Sequence, residues 1–209
     1  AHYFTEAFTK LGGKVENANF PENTSDFNSY ITNAVNAGAE VIFAPTSTSY
    51  AQLIVEQAAA QGITMPLIAS DTWDSNVILG AAKGKNVQIY VSTFYAEGGD
   101  PDFEKGFKVW INADSTNLAN NGGNDIVAAV SVMGYDAYYT ALEALKAAGS
   151  TVPAAVKAAL PNVKYTGITG EIAFNETGDA IRDSAFIKTA NTETGLWDFV
   201  TVQGVQDAQ

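Results

Sequence analysis

Residues 65–74 read MPLIASDTWD, and this stretch decides the fold that the sequence predicts. Pro66–Ala69 is an apolar run typical of a buried strand. A polar loop follows it and carries one carboxylate, Asp71, and one large aromatic, Trp73. Because small molecules bind at the carboxyl edge of the strands in open α/β sheets, this loop is the first candidate binding site.

Similar units of helix, strand and polar loop flank this stretch. A helix with an apolar stripe at 3.6-residue spacing, Phe27 to Val35, precedes an apolar strand, and the loop PTSTS, residues 45–49, follows that strand. The strands predicted in this part of the chain are Lys14–Phe20, Glu40–Ala44, Ile63–Ala69 and Asn86–Thr93. Strands that alternate with helices in this way indicate βαβ units, and therefore an α/β fold with a parallel sheet.

The composition changes after Phe94, where helices dominate. The helices predicted here are Asp102–Ala113, Asp125–Ala148 and Val152–Leu160. A polar, Asn-rich loop, Asp114–Asn124, is predicted between the first two, and no strand is predicted between Tyr95 and Pro161. The segment therefore resembles a helical layer whose sheet the sequence does not supply.

The last part of the chain is rich in predicted strands. Thr169–Phe174 and Ser184–Thr189 flank a hairpin-type turn at Asn175–Gly178, and Leu196–Val202 forms a further strand. This pattern indicates a β appendage that is antiparallel in part.

Composition excludes several functional classes. The net charge of −12 leaves no basic surface for nucleic acid. The chain has no cysteine and a single histidine, His2, which argues against thiol chemistry, Ser-His-Asp catalysis and His- or Cys-based metal sites. No run of about 18 apolar residues is present that could span a membrane.

Four further stretches follow one another along the chain: DFNSYITNAVNAGAEVIFAP, MPLIASDTWDS, MGYDAYYTALEALKAAGS and YTGITGEIAFNETGDAIRD. In this order they resemble the type I periplasmic binding proteins, in particular the leucine/isoleucine/valine-binding branch of ABC-importer receptors. Each stretch alone is a weak signal, but together they span nearly the whole chain. Proteins of this family have two α/β lobes, and their chain crosses between the lobes three times.

The resemblance implies a domain organisation. Residues 1–93 are expected to form the second ligand-binding lobe, and residues 94–162 the helical part of an incomplete first lobe whose sheet is absent. Residues 163–209 are expected to cross back to the second lobe as a β-rich segment. The chain also begins within an amphipathic helix rather than with a strand, so the expectation is a truncated fragment, the second half of a longer protein.

The resemblance also assigns candidate binding residues. An acidic residue at the position of Asp71 contacts the amino group of a bound amino acid in the family, whereas the competing interpretation is that Asp71 caps the next helix, a role open equally to Asp74 and Ser75. Trp73 is either an aromatic wall of the site or core packing. The hydroxyls of Thr46 and Ser47 either bond the ligand or belong to a solvated loop or cap.

Thr93 and Tyr95 lie at the expected hinge between lobes and are candidates for the border of the site. No metal ligand, cofactor or catalytic residue is predicted, and no enzyme activity is expected.

The function implied is that of the extracellular solute-binding component of an ABC importer, which binds an amino acid or related small polar solute by lobe closure. Its partners would be that ligand and a membrane permease. The expected location is extracellular or periplasmic, with a signal sequence and a lipid anchor in the full-length protein. The alternative is the ligand-binding sensor domain of a receptor or regulator with the same fold. Apolar helix faces between residues 102 and 160 also favour self-association of the fragment.

Overall fold

A computed structural model describes residues 1–204 of the protein. The chain divides into two compact units. Unit 1 contains residues 1–93 and the described residues from Ile187 onward, and unit 2 contains Phe94–Phe186. Residues 163–186 were predicted to cross back to the second lobe, but they pack within unit 2.

Helices and strands are numbered in chain order. The helices are α1 (His2–Lys10), α2 (Asn28–Asn36), α3 (Thr48–Ala60), α4 (Asn76–Ala82), α5 (Pro101–Asn112), α6 (Ser115–Asn120), α7 (Ala129–Ala148) and α8 (Pro153–Ala159). The strands are β1 (Ile42–Phe43), β2 (Leu67–Ala69), β3 (Ile89–Thr93), β4 (Tyr165–Gly167), β5 (Gly170–Ile172), β6 (Ser184–Asn191) and β7 (Leu196–Gly204). Short 3-10 turns lie at Asp71–Trp73 and Leu160–Asn162.

The main sheet has the strand order β1-β2-β3-β6-β7. β1, β2 and β3 are parallel, with Ile42 opposite Leu67 and Leu67 opposite Ile89. The predicted α/β class with a parallel βαβ sheet is therefore confirmed. The core of unit 1 lies against this sheet, because the apolar side chains of β2 and β3 are buried together with one face of α3 and α4.

Lys14–Phe20 is not a strand, and this prediction was wrong. The residues of this segment, KVENANF, are mostly polar, and no strand in the described residues pairs with them. Only its last residue has a clear packing role: the ring of Phe20 contacts those of Phe27 and Tyr50 at 5.0 and 5.1 Å between centroids. The segment therefore reaches the core through one aromatic side chain rather than through a hydrogen-bonded ladder.

In unit 2, the prediction of helices without strands across residues 95–161 is confirmed, and the structure describes all of those residues. The predicted loop Asp114–Asn124 was wrong in part, because it contains α6. Asp114 caps this helix by accepting a hydrogen bond from the backbone N–H of Thr116 at 2.7 Å, which lowers the pKa of the Asp114 carboxyl.

The predicted pairing of Thr169–Phe174 with Ser184–Thr189 was also wrong, although the hairpin-type turn predicted at Asn175–Gly178 is present. β5 pairs antiparallel with β4 across a tight turn, Gly167↔Gly170, whereas β6 joins the main sheet. The turn closes only a short antiparallel contact, a bridge between Phe174 and Ala180 with a backbone hydrogen bond from Ile181 to Ala173 at 2.9 Å beside it, within the residues that the structure describes. A turn upstream of the expected one thus decides the pairing.

Buried Asp136 of α7 fixes that upstream turn. One carboxylate oxygen accepts from the backbone N–H of Ile168 at 2.9 Å, and the other accepts from the N–H and the hydroxyl of Thr169 at 2.7 and 2.6 Å. Arg182 in turn donates to the carbonyl of Thr169 at 2.7 Å. One carboxylate thus holds the β4–β5 turn on the helix.

Replacement of Gly167 by alanine is expected to lower the free energy of unfolding by about 1–3 kcal/mol. A Cβ at this position would collide with the carboxylate of Asp136, which its hydrogen bonds hold in place. Gly106→Ala is the matched control, because Gly106 is on α5 with open space around its Cα. That change should stabilise the protein by about 0.5–1 kcal/mol. Urea unfolding curves that give the two variants the same sign would contradict this account.

Candidate functional site

The candidate site is the carboxyl edge of the main sheet in unit 1, where the loops after β1 and β2 meet. Hydrogen bonds join the two loops directly. The hydroxyl of Thr72 donates to the carbonyl of Thr46 at 2.8 Å, and the hydroxyl of Thr48 donates to the carbonyl of Thr72 at 2.9 Å. The parallel register of β1 and β2 brings these loops together, as the sequence predicted.

Asp71 begins the 3-10 turn that follows β2 and is partly exposed. Its carboxylate makes no hydrogen bond or ion pair with any residue among 1–204. The helix-capping alternative falls to Ser75, whose side chain accepts from the backbone N–H of Val77 at 3.2 Å at the start of α4. Asp71 is therefore a free carboxylate at the edge of the sheet, with no structural task that the described residues reveal.

Trp73 is fully buried in the core of unit 1. Its indole N–H donates to the hydroxyl of Thr46 at 3.2 Å. Of the two interpretations of this residue, the structure places its ring in the core. Thr46 is half-buried and its hydroxyl is engaged by Trp73, whereas the hydroxyl of Ser47 is exposed and lies 3.1 Å from that of Ser49.

Thr93 and Tyr95 are both buried, but in different units. Thr93 ends β3 and donates its hydroxyl to a carboxylate oxygen of Asp74 at 2.7 Å. Tyr95 donates to Glu104 within unit 2 and accepts from the backbone N–H of Asp100 at 3.0 Å. Burial and the Glu104 carboxylate raise the pKa of Tyr95, so its hydroxyl stays protonated at neutral pH. Of the predicted site residues, those in unit 1 that solvent can reach are thus Asp71, Thr46 and Ser47.

A buried ion pair that the sequence did not reveal lies at Asp74, at the end of the loop after β2. The ammonium of Lys188 on β6 lies 2.7 Å from the same oxygen of Asp74 that Thr93 contacts. Lys188 is 4% exposed and Asp74 1%. The signal was a lysine at an inward position of a strand, since Lys188 and Ala190 are the buried residues of β6.

The electrostatic character of the edge is negative. Residues 45–49, 70–75 and 93 contain Asp71 and Asp74 but no lysine or arginine. Because Lys188 neutralises Asp74, the net charge that the edge presents is that of Asp71. Within residues 1–204, no group of three acidic or histidine side chains is arranged to hold a metal ion, and no helix is long and apolar enough to cross a membrane.

Comparison with known proteins identifies the fold and the family. A leucine-binding protein from Thermotoga maritima shares 26% identity with the chain, covers 97% of it and has a TM-score of 0.73. A solute-binding protein of an ABC transporter from R. palustris, solved with 4-hydroxybenzoate, shares 20% identity over 99% of the chain with a TM-score of 0.74. A branched-chain amino acid transporter substrate-binding protein from Streptococcus pneumoniae was solved with isoleucine. It shares 19% identity over 89% of the chain, with a TM-score of 0.60.

The chain spans about half the length of these structures, 55%, 57% and 50% respectively. No curated protein sequence matched the chain. The family model described as periplasmic binding protein matches residues 1–194, which is most of the chain. The family and the compared structures are binding proteins rather than enzymes. This chain, with its parallel sheet and its polar carboxyl edge, therefore belongs to the periplasmic binding protein family.

Proposed function

We propose that the chain supplies one ligand-binding lobe of a solute-binding protein of an ABC importer, and that the ligand is an amino acid. The observation that supports this most directly is the free carboxylate of Asp71 at the carboxyl edge of the parallel sheet. A ligand ammonium would make a charge-assisted hydrogen bond there. The hydroxyl of Ser47 is a second polar group available at the same edge.

The charge of the edge favours an amino acid over a benzoate-like anion. The compared proteins include both kinds, since one was solved with isoleucine and another with 4-hydroxybenzoate. A benzoate presents only a negative charge, which Asp71 would repel, and the loops of this edge offer no cation. An amino acid presents an ammonium group that the carboxylate can pair with.

The remaining groups that hold the ligand would come from outside these 209 residues. Two facts support this proposal: the chain spans about half the length of the compared structures, and unit 2 exposes large apolar residues on its helices. Val109 is 69% exposed, Tyr138 62% and Trp110 58%. Further strands that complete unit 2 would cover these side chains. Lobe closure, a permease partner, and an extracellular or periplasmic location follow from the same proposal.

The test of this proposal replaces Asp71 by asparagine in a full-length binding protein that contains this chain. The affinity for L-leucine and L-isoleucine, measured by isothermal titration calorimetry, is expected to fall about 10- to 100-fold, because an ionic hydrogen bond becomes a neutral one. Affinity for 4-hydroxybenzoate should be weak in the unmodified protein and no weaker in the variant.

Glu16→Gln is the matched control for that experiment, since Glu16 is an exposed carboxylate of the same unit and lies outside the site loops 45–49 and 70–75. It should leave the affinities unchanged. Tight 4-hydroxybenzoate binding, or leucine binding that is indifferent to the Asp71 substitution, would refute the proposed ligand class.

A further inference from the structure

The buried ion pair beneath the site loop has an uneven geometry. Lys188 and Thr93 both contact the same carboxylate oxygen of Asp74, Oδ2, each at 2.7 Å. The other oxygen, Oδ1, is buried and makes no hydrogen bond within residues 1–204. The side chain of Asp74 is therefore held entirely through Oδ2, so its position depends on two donors.

These two donors come from distant parts of the sequence. Thr93 is the last residue of unit 1 before the chain passes into unit 2, and Lys188 is the second residue after the chain returns. Trp197 on β7 adds a third element, because its ring lies 5.8 Å from the Lys188 ammonium. Asp74 thus ties the loop after β2 to β3 and β6, and Lys188 in turn contacts β7.

Asp74 also lies at the end of the turn that carries Asp71. Its backbone N–H donates to the carbonyl of Asp71 at 3.0 Å, and the N–H of Ser75 donates to the carbonyl of Trp73 at 2.8 Å. The turn has one further backbone bond, from Trp73 to Ser70 at 3.0 Å. A shift of the Asp74 side chain would therefore move the backbone on which Asp71 stands.

We propose that Lys188 is a positioning residue for ligand binding, which fixes the loop Ser70–Ser75 and hence the carboxylate of Asp71 through its ion pair with Asp74. The inference rests on the proposed function of Asp71, but its structural part concerns the loop alone. Lys188 itself is buried, so it would act on ligand binding only through Asp74 and the loop. A pair that only stabilised the fold would slow amide exchange throughout unit 1 by one factor, whereas a pair that also positions the loop slows exchange in this loop by more.

The experiment measures hydrogen exchange and leucine affinity in the full-length protein with Lys188→Met. The amides of Trp73, Asp74 and Ser75 should exchange about tenfold faster than the measured loss of global stability accounts for, while those of α2 in the same unit accelerate no more than that loss accounts for. Thr93→Val removes the other donor to Asp74 and should produce a smaller loosening of the same amides, so the test survives if Lys188→Met does not fold. Lys85→Met is the control, because this half-buried lysine has no acidic partner in the described part of the chain and donates its ammonium to the carbonyl of Ala81 at 2.6 Å.

A double-mutant cycle measures the coupling between Lys188 and Asp71 in L-leucine affinity, which a merely structural role of Lys188 would leave near zero. Lys188→Met should weaken L-leucine binding about tenfold in the unmodified protein but less than about twofold in the Asp71→Asn background, since Lys188 acts through Asp71. Equal effects in both backgrounds would overturn the inference. So would loop amides that accelerate no more than the loss of global stability requires, as the other amides of the unit do.

Two outcomes distinguish the loop-positioning role of Lys188 from the proposed ligand class. If neither leucine nor isoleucine binds the unmodified protein, while Lys188→Met still loosens the loop more than the rest of unit 1, the loop-positioning role is supported and the proposed ligand class is overturned. If both amino acids bind and Lys188→Met leaves the loop unaltered, the ligand class is supported and the positioning role is overturned.

Discussion

Replacement of Lys188 by methionine is expected to lower the free energy of unfolding by about 3–5 kcal/mol. Methionine fills a similar volume, so the packing around the side chain is largely kept. What is lost is the partner of Asp74, whose carboxylate is 1% exposed and would keep only the hydroxyl of Thr93. A buried charge without compensation is costly because the low-polarity interior solvates it poorly. Urea denaturation followed by circular dichroism measures the loss.

The double variant Asp74→Asn/Lys188→Met should be more stable than Lys188→Met alone. Removing the second charge abolishes the uncompensated carboxylate, and the asparagine carbonyl can still accept from Thr93. The difference between the two variants therefore separates the cost of a lone buried charge from the loss of packing. A single variant that loses under about 1 kcal/mol, or a double variant less stable than the single one, would contradict a buried ion pair at this position.

Replacement of Asp136 by alanine is expected to cost about 3–5 kcal/mol in unit 2. The carboxylate accepts hydrogen bonds from Ile168 and from both donors of Thr169, and hydrogen bonds to a charged group contribute more than neutral ones. Its loss leaves two backbone N–H groups without their partner and releases the β4–β5 turn. The same urea experiment measures the change, and faster exchange of the Ile168 and Thr169 amides should accompany it.

Asp125→Ala is the control for this variant. Asp125 lies in the same unit and accepts one side-chain hydrogen bond, from Asn112 at 3.0 Å near the surface. That change should cost less than about 1 kcal/mol. Equal losses for Asp125→Ala and Asp136→Ala would show that the turn does not depend on the buried carboxylate.

Regular periodicity made much of the fold predictable. The strands that alternate with helices in residues 28–93 were located from apolar runs and glycine stops, because a parallel sheet buries its strands on both faces. The strand predicted at Lys14–Phe20 was wrong because the alternation of apolar and polar residues there is weak. The segment contacts the core through one aromatic ring, that of Phe20. The β4–β5 hairpin was missed because a distant carboxylate, Asp136, fixes its turn, and local sequence does not reveal such a contact.

The site residues were predictable only where their place next to a strand in the sequence indicates their role. Asp71 could be singled out because it follows a buried strand directly. Trp73 could not be assigned between wall and core, since burial depends on the packing of α3 and α4 around it. Lys188 was missed because its partner Asp74 lies more than a hundred positions earlier in the sequence, and pairs at such separations require the folded structure.

The most direct test of the central claim is a crystal structure of the full-length binding protein with bound L-leucine. We expect a carboxylate oxygen of Asp71 to lie about 2.8 Å from the ligand ammonium, the distance of a charge-assisted hydrogen bond. An ammonium group bound by other residues, with the Asp71 carboxylate facing solvent, would contradict it.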